Sequence, residues 1–197
     1  MANKTYLETY WFSYNDNDAG GASVVTPLST ETVNFTMTAG GANGTDSAAV
    51  MTYSLDAGSL TYNPFVGMGM AFMDPQDAYD LSGSTGLSFY YKSTGSCILE
   101  INLTTILDDC NYYMTLPAAA TWTKKTLLWS DFSQYTWGDA VLWDLTKINK
   151  FQWKVQTTDG TSGSVGVDQV VIEGKVLTLP NGPVVDKSVL EDKIAEA

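Results

Sequence analysis

Along most of this chain apolar and polar residues alternate in short runs, each bounded by Gly, Pro, Asn or Asp. A period of two marks a strand with one buried face, because successive side chains leave the backbone on opposite sides. The runs predict strands near 6–14, 31–38, 47–56, 66–73, 86–93, 97–104, 111–116, 122–129, 148–157 and 164–173. Helical periodicity is nearly absent before residue 186. Short strands at this spacing imply an all-β fold, a two-sheet antiparallel β-sandwich.

The same parity assigns faces. In 86–92 the apolar set Leu87, Phe89 and Tyr91 belongs to the core, which turns Ser88, Tyr90 and Lys92 outward. Leu99, Ile101 and Leu103 are core in the next run, with Glu100, Asn102 and Thr104 facing out. Tyr112, Met114 and Leu116 point inward beside outward Tyr113 and Thr115. Phe151, Trp153 and Val155 are core, so Lys150, Gln152, Lys154 and Gln156 point away. Taken as one surface, these outward sets predict a polar sheet face bearing two tyrosines, amides, a carboxylate and lysines. An ordinary solvated sheet is the plainer reading of the same residues. The segment 131–147 is a long loop with Phe132, Tyr135, Trp137 and Trp143, and large rings on a long loop point to binding.

Composition narrows the chemistry. A net charge of −12 with only ten basic residues argues against nucleic acid and against anionic membrane, where contacts need positive charge. No histidine occurs, which removes the commonest general acid/base and zinc ligand. Six Trp and eleven Tyr supply flat apolar faces of the kind that stack on sugar rings. Cys97 and Cys110 lie in or between neighbouring strands and read as free thiols, since a symmetric hairpin would not set them opposite each other. No apolar run of transmembrane length is present. Met1 to Lys4 carries no apolar signal region, so the expectation of a secreted, extracellular protein places the signal in a segment outside this sequence. After Gly174 the run Leu179-Pro180-Asn181-Gly182-Pro183 cannot continue a ladder. The expected organisation is a sandwich over 1–175 and, over 176–197, a linker with the start of a following module.

Several stretches, in order, resemble family eleven carbohydrate-binding modules and their relatives, the jelly-roll β-glucan binders attached to bacterial cellulases. They are Trp11-Phe12-Ser13-Tyr14, Asp80 to Gly83 followed by Leu87 to Phe89, Trp122 to Lys125 running to Trp129 to Phe132, Asp144 to Ile148, and Ser164 to Val170. The resemblance implies a jelly roll without catalysis, binding β-1,4 or mixed-linked β-glucan, with xylan or mannan as the competing polymers. It also implies an appended glycoside hydrolase, targeting to plant cell wall, and a monomer. Tyr14 matches a groove tyrosine of the family, and Phe65 or Tyr62 lies where the family has another ring. Tyr135 and Trp137 lie in the loop where the family places an arginine and a tyrosine. Gln152 falls at a polar groove position.

Together with the outward residues Tyr90, Asn102, Tyr113 and Lys154, these define the expected binding surface. Asp108 joins it as a turn residue or a partner for a sugar hydroxyl. Modules of this kind commonly bind one structural Ca²⁺ between the first and last strands, which implies Glu8 and Asp168, with Asp46, as oxygen ligands. Two other functions fit the residues: a glycan-reading adhesin or lectin without an enzyme partner, and a small hydrolase using Asp and Glu. For the second, the adjacent pair Asp108 and Asp109 is poorly placed to flank a glycosidic bond.

Overall fold

The computed structural model describes residues 9–30, 32–72 and 77–174. Its strands are β1 (Thr9–Asn15), β2 (Val24–Thr26), β3 (Thr38–Ala39), β4 (Ser47–Ser54), β5 (Phe65–Phe72) and β6 (Gly86–Ser93). They continue with β7 (Cys97–Leu103), β8 (Tyr112–Leu116), β9 (Ala119–Leu128), β10 (Ser133–Gln134), β11 (Ile148–Gln156) and β12 (Ser162–Glu173). One sheet runs β1-β5-β11-β7-β8-β10 and the other β2-β4-β12-β6-β9, with β3 added to β4. All the strand pairings are antiparallel. This is the jelly-roll sandwich expected.

The core forms where the inward parities of the two sheets meet. Trp153 of β11, fully buried, stacks on Trp11 of β1 at 5.6 Å and receives the edge of Phe89 from the opposite sheet at 5.4 Å. Phe72 meets Phe151 edge-on at 5.2 Å. Each such ring contributes about 1.5–3 kcal/mol through removal from water. Cys97 and Cys110 are both buried and unbonded, as read from the sequence. Burial raises the Cys97 thiol to about 12, which leaves it inert.

The strand expected over 31–38 reduces to Thr38–Ala39. Its apolar residues alternate, but Phe35 alone buries, against Trp11 at 6.2 Å, while Val33 is exposed and closes a turn onto Thr30. β2 and β10 escaped the pattern because two or three residues cannot display a period.

Two corrections concern position. β6 belongs to the sheet opposite β7, β8 and β11, so Tyr90 and its outward neighbours face away from the surface assembled above. The parity was right, yet parity does not say which sheet a strand joins. Nor are the first and last strands neighbours: β1 edges one sheet beside β5, and β12 lies between β4 and β6 in the other. Glu8 and the tail 176–197 lie outside the described residues.

Candidate functional site: an aromatic-walled groove on one sheet

The site is the outer face of the β1-β5-β11-β7-β8-β10 sheet. On β1, Trp11 packs inward, which turns Tyr10, Phe12 and Tyr14 outward. Opposite them β5 presents Ala71, Gly69 and Gly67 in register. Those small residues allow the rings to lie down. A Cβ on Gly67 would stand 2.3 Å from Tyr14 Cζ, and one on Gly69 would stand 2.4 Å from Phe12 Cζ. The glycines are therefore a seat for the two rings, which stack on each other at 6.2 Å. Phe65 extends the row, 6.4 Å from Tyr14, with the Lys154 ammonium 5.2 Å above its centroid.

A second aromatic cluster stands across the sheet. Tyr113 of β8 stacks face to face on Tyr135 at 4.0 Å with planes 7° apart. Trp137, 63% exposed, follows at 6.1 Å from Tyr135. Four strand spacings separate β1 from β8, about 19 Å, which is room for several pyranose rings. Trp143 takes no part: it packs edge-on against Tyr112 at 4.7 Å and beside Phe132.

Between the clusters the floor is polar and dry. Glu100, Asn102, Asn111 and Gln152 are all buried. Glu100 is the hub: Tyr135 Oη donates to its Oε1 at 3.0 Å, and Lys154 Nζ pairs with the same oxygen at 3.2 Å. Asn111 Nδ2 and Gln152 Nε2 donate to Oε2 at 3.3 and 3.4 Å. Asn102 Nδ2 in turn donates to Asn111 Oδ1 at 2.7 Å. A buried carboxylate is tolerated only when paired and hydrogen-bonded, and here the same donors are held in fixed orientations. Burial pushes the Tyr14 phenol well above its ordinary value, with Glu100, Tyr135 and Asp109 adding to the shift. Tyr135 is raised likewise, first by burial and then by Glu100. Both remain neutral hydroxyls at neutral pH. Lys150, its ammonium 5.9 Å from the Phe12 centroid, is lowered by burial, against the pull of Asp109 and Glu100.

The loop that carries Tyr135 and Trp137 is fastened from beneath. Asp108 accepts the backbone N–H of Asp139 at 2.8 Å on one oxygen and that of Cys110 at 3.0 Å on the other. These bonds hold its carboxyl below the ordinary range. Gln134 Nε2 donates to the carbonyls of Cys110 and Asp139, its Oε1 accepts from Val141, and the Cys110 thiol donates to the Tyr135 carbonyl. Asp108 is thus a loop anchor, not a free partner for sugar.

Of the residues expected from the sequence, Tyr14, Phe65, Asn102, Tyr113, Tyr135, Trp137, Gln152 and Lys154 come together on this face, with Asp108 under its rim. Tyr90 is on the other sheet, opposite Lys124 of β9 and Asp168 of β12. Glu100 and Lys150, outward by parity, lie on this face as well, and Phe12 and Asn111, not expected there from the sequence, complete the site. The spacing Gly67-Met68-Gly69 opposite Phe12-Ser13-Tyr14 was the signal available for Phe12.

Asp168 Oδ2 accepts from Ala42 N at 2.8 Å and from the Thr45 hydroxyl, while Oδ1 accepts from Gln169 N at 2.7 Å. A cation at this carboxylate would have to replace those donors. Among the described residues no three acidic or cysteine side chains cluster as metal ligands.

No family model matches the chain. Endoglucanase 3 of Fibrobacter succinogenes is 31% identical over 173 residues, covering 87% of this chain and 26% of that protein. The chain therefore spans about a quarter of this relative's length. Among solved structures, a family 11 carbohydrate-binding module from Clostridium thermocellum, in complex with a β-1,3-1,4-mixed-linked tetrasaccharide, superposes with a TM-score of 0.57. The identity is 16%, over 83% of this chain and 88% of that one. A family 11 module of a cellulosomal cellulase from the same organism gives 0.56 at 15% identity, over 84% of this chain and 88% of that one. These similarities establish the sandwich fold.

Proposed function

We propose that this domain is a non-catalytic carbohydrate-binding module that holds a β-glucan chain, β-1,4 or mixed-linked, along the groove. The observation that carries the reading is the pair of aromatic walls, one laid flat over Gly67 and Gly69, facing each other across a desolvated polar floor. Flat faces suit the C–H surfaces of pyranose rings, and fixed amide, hydroxyl and ammonium groups suit equatorial hydroxyls. The mixed-linked tetrasaccharide in the superposed family 11 module supports the same ligand class. Catalysis is not needed for this role. Glu100 spends its oxygens on four donors and Asp108 on two backbone N–H groups, which leaves neither poised as a general acid.

The 31% identical endoglucanase supports an appended hydrolase and, through it, an extracellular setting on plant cell wall polysaccharide. In that setting the module acts by proximity, raising the local concentration of enzyme on an insoluble polymer. Calorimetric titration with mixed-linked and β-1,4 oligosaccharides, xylan and mannan tests the reading. Saturable binding of the glucans that Tyr14→Ala weakens supports it; equal indifference to all four polymers overturns it. A structural Ca²⁺ at Asp168 and Asp46, with Glu8, is a separate proposal. A chelator should then lower the melting temperature and Ca²⁺ restore it, through mass action on the folded state.

A further inference from the structure

The outer face of the second sheet carries its own arrangement of rings and charges, and the glucan groove does not use it. Two strands supply it. Tyr90 and Lys92 project from β6, and Trp122 and Lys124 from the neighbouring β9, with Tyr90 directly opposite Lys124. Lys92 Nζ lies 4.7 Å from the centre of the Trp122 ring. Positions two apart on a strand are about 7 Å apart. The two strands thus set rings beside lysines, Tyr90 against Lys124 in register and Lys92 against the Trp122 ring, where the pairing of β6 with β9 shifts register between Tyr91 and Ser93.

The third strand makes room for it. Gly166 of β12 sits opposite Lys92, and a Cβ there would stand 3.0 Å from both Lys92 Cε and Trp122 Cη2. Ring and lysine thus lean over a glycine, as Tyr14 and Phe12 do over Gly67 and Gly69 on the other sheet. Tyr90, Lys92 and Trp122 remain partly open to solvent and Lys124 is exposed.

The charges on this face are the unusual feature. Acids outnumber bases by 22 to 10, yet among the described residues neither Lys92 nor Lys124 makes an ion pair or hydrogen bond. The nearby carboxylates are engaged elsewhere: Asp168 holds Ala42, Thr45 and Gln169, and Glu173 accepts from the Ser88 hydroxyl. An arriving carboxylate would therefore gain two cations without breaking an ion pair, and could reach Lys92 at the edge of the Trp122 ring that its ammonium overlies. It would meet them beside an indole face, which stacks on a sugar ring but gives nothing to a bare anion.

We propose that this face is a second polysaccharide site, independent of the groove, for chains of pyranose rings that bear carboxylates. The sugar ring lies on Trp122 or Tyr90 and its carboxylate on Lys92 and Lys124. With one polymer in the groove and an acidic one here, the domain would bridge two components of a wall.

The probe is polygalacturonate, immobilised beside its fully methyl-esterified, neutral form. A net charge of −12 repels the protein from a polyanion, so retention on the acidic form reports a local site and not bulk attraction. At about 0.1 M salt, where the screening length is about 10 Å, the parent should be retained on the acid form and pass through the ester. Trp122→Ala and the double variant Lys92→Gln, Lys124→Gln should each weaken retention at least tenfold while glucan affinity stays within twofold. Tyr14→Ala should do the reverse. Lys124→Gln alone, at an exposed position, keeps the test sound if Trp122→Ala melts early. A parent that is not retained overturns the proposal, as does equal retention on the ester or loss of retention with Tyr14→Ala. Failure of the glucan reading would instead appear as absent oligosaccharide binding whatever polygalacturonate does.

Discussion

The rings over β5 set what single substitutions should do. Gly67→Ala leaves Tyr14 in the chain but places a Cβ 2.3 Å from its ring, so the ring must lift from its seat. Calorimetry should then show glucan affinity falling several-fold, since an aromatic contact is worth about 0.5–1.5 kcal/mol and 1.4 kcal/mol is about tenfold. Tyr14→Ala and Tyr113→Ala remove a stacking face outright and should lose about tenfold each, whereas Tyr90→Ala on the other sheet should leave glucan binding unchanged. Phe89→Ala is the opposite case. Its ring is fully buried against Trp153 at 5.4 Å, and truncation should cost roughly 3–5 kcal/mol in a denaturation curve. Indifference of glucan binding to both tyrosine variants would remove the groove from the reading.

At the level of elements, the strands were legible because alternation persists over five or more residues, and the pairs Leu99/Ile101 and Phe151/Trp153 did turn inward as their parity required. What the period could not supply was the partner of each strand. Parity therefore puts Tyr90 on the wrong sheet, and the expected pairing of Asp168 with the first strand fails because β1 belongs to the other sheet. Parity turns Glu100 outward as a carboxylate, but its role depends on four donors from Asn111 just before β8, from Tyr135 and from Gln152 and Lys154 of β11, contacts that no local pattern encodes. The loop itself yields a pH prediction. Asp108 is held below its ordinary value by two backbone N–H donors, so its fastening is complete above the unfolded value near 3.8 and is lost as pH falls through the lower folded value. Trp137, the exposed ring of that loop, should report the release by fluorescence at a pH below 3.8. Asp108→Asn, which sets an amide N–H₂ against one of the two donors, should show the released signal at neutral pH and bind glucan with a faster off-rate. A Trp137 signal identical in parent and variant would mean the loop is held by other bonds.

For the whole molecule, ligand and fold are linked through the groove tyrosines. Burial and the Glu100 charge raise the phenols of Tyr14 and Tyr135, so the folded state keeps protons that an unfolded chain releases near pH 10. Their contribution to stability is therefore complete below about pH 10 and falls as pH rises above it, because the unfolded state then binds fewer protons. Alkaline unfolding should coincide with a late rise in tyrosinate absorbance. A glucan oligosaccharide over the groove acts on the same balance by binding only the folded form. At a free concentration about 100 times its dissociation constant it should add about 2.7 kcal/mol. For a domain of this size that corresponds to roughly 5–11 °C in melting temperature, taking about 2–4 °C per kcal/mol. Trp122→Ala should keep that shift, since its ring stands on the other sheet, and Tyr14→Ala should lose most of it at the same ligand concentration. Full shifts in both variants would place the oligosaccharide away from Tyr14, against the opposite wall of Tyr113, Tyr135 and Trp137.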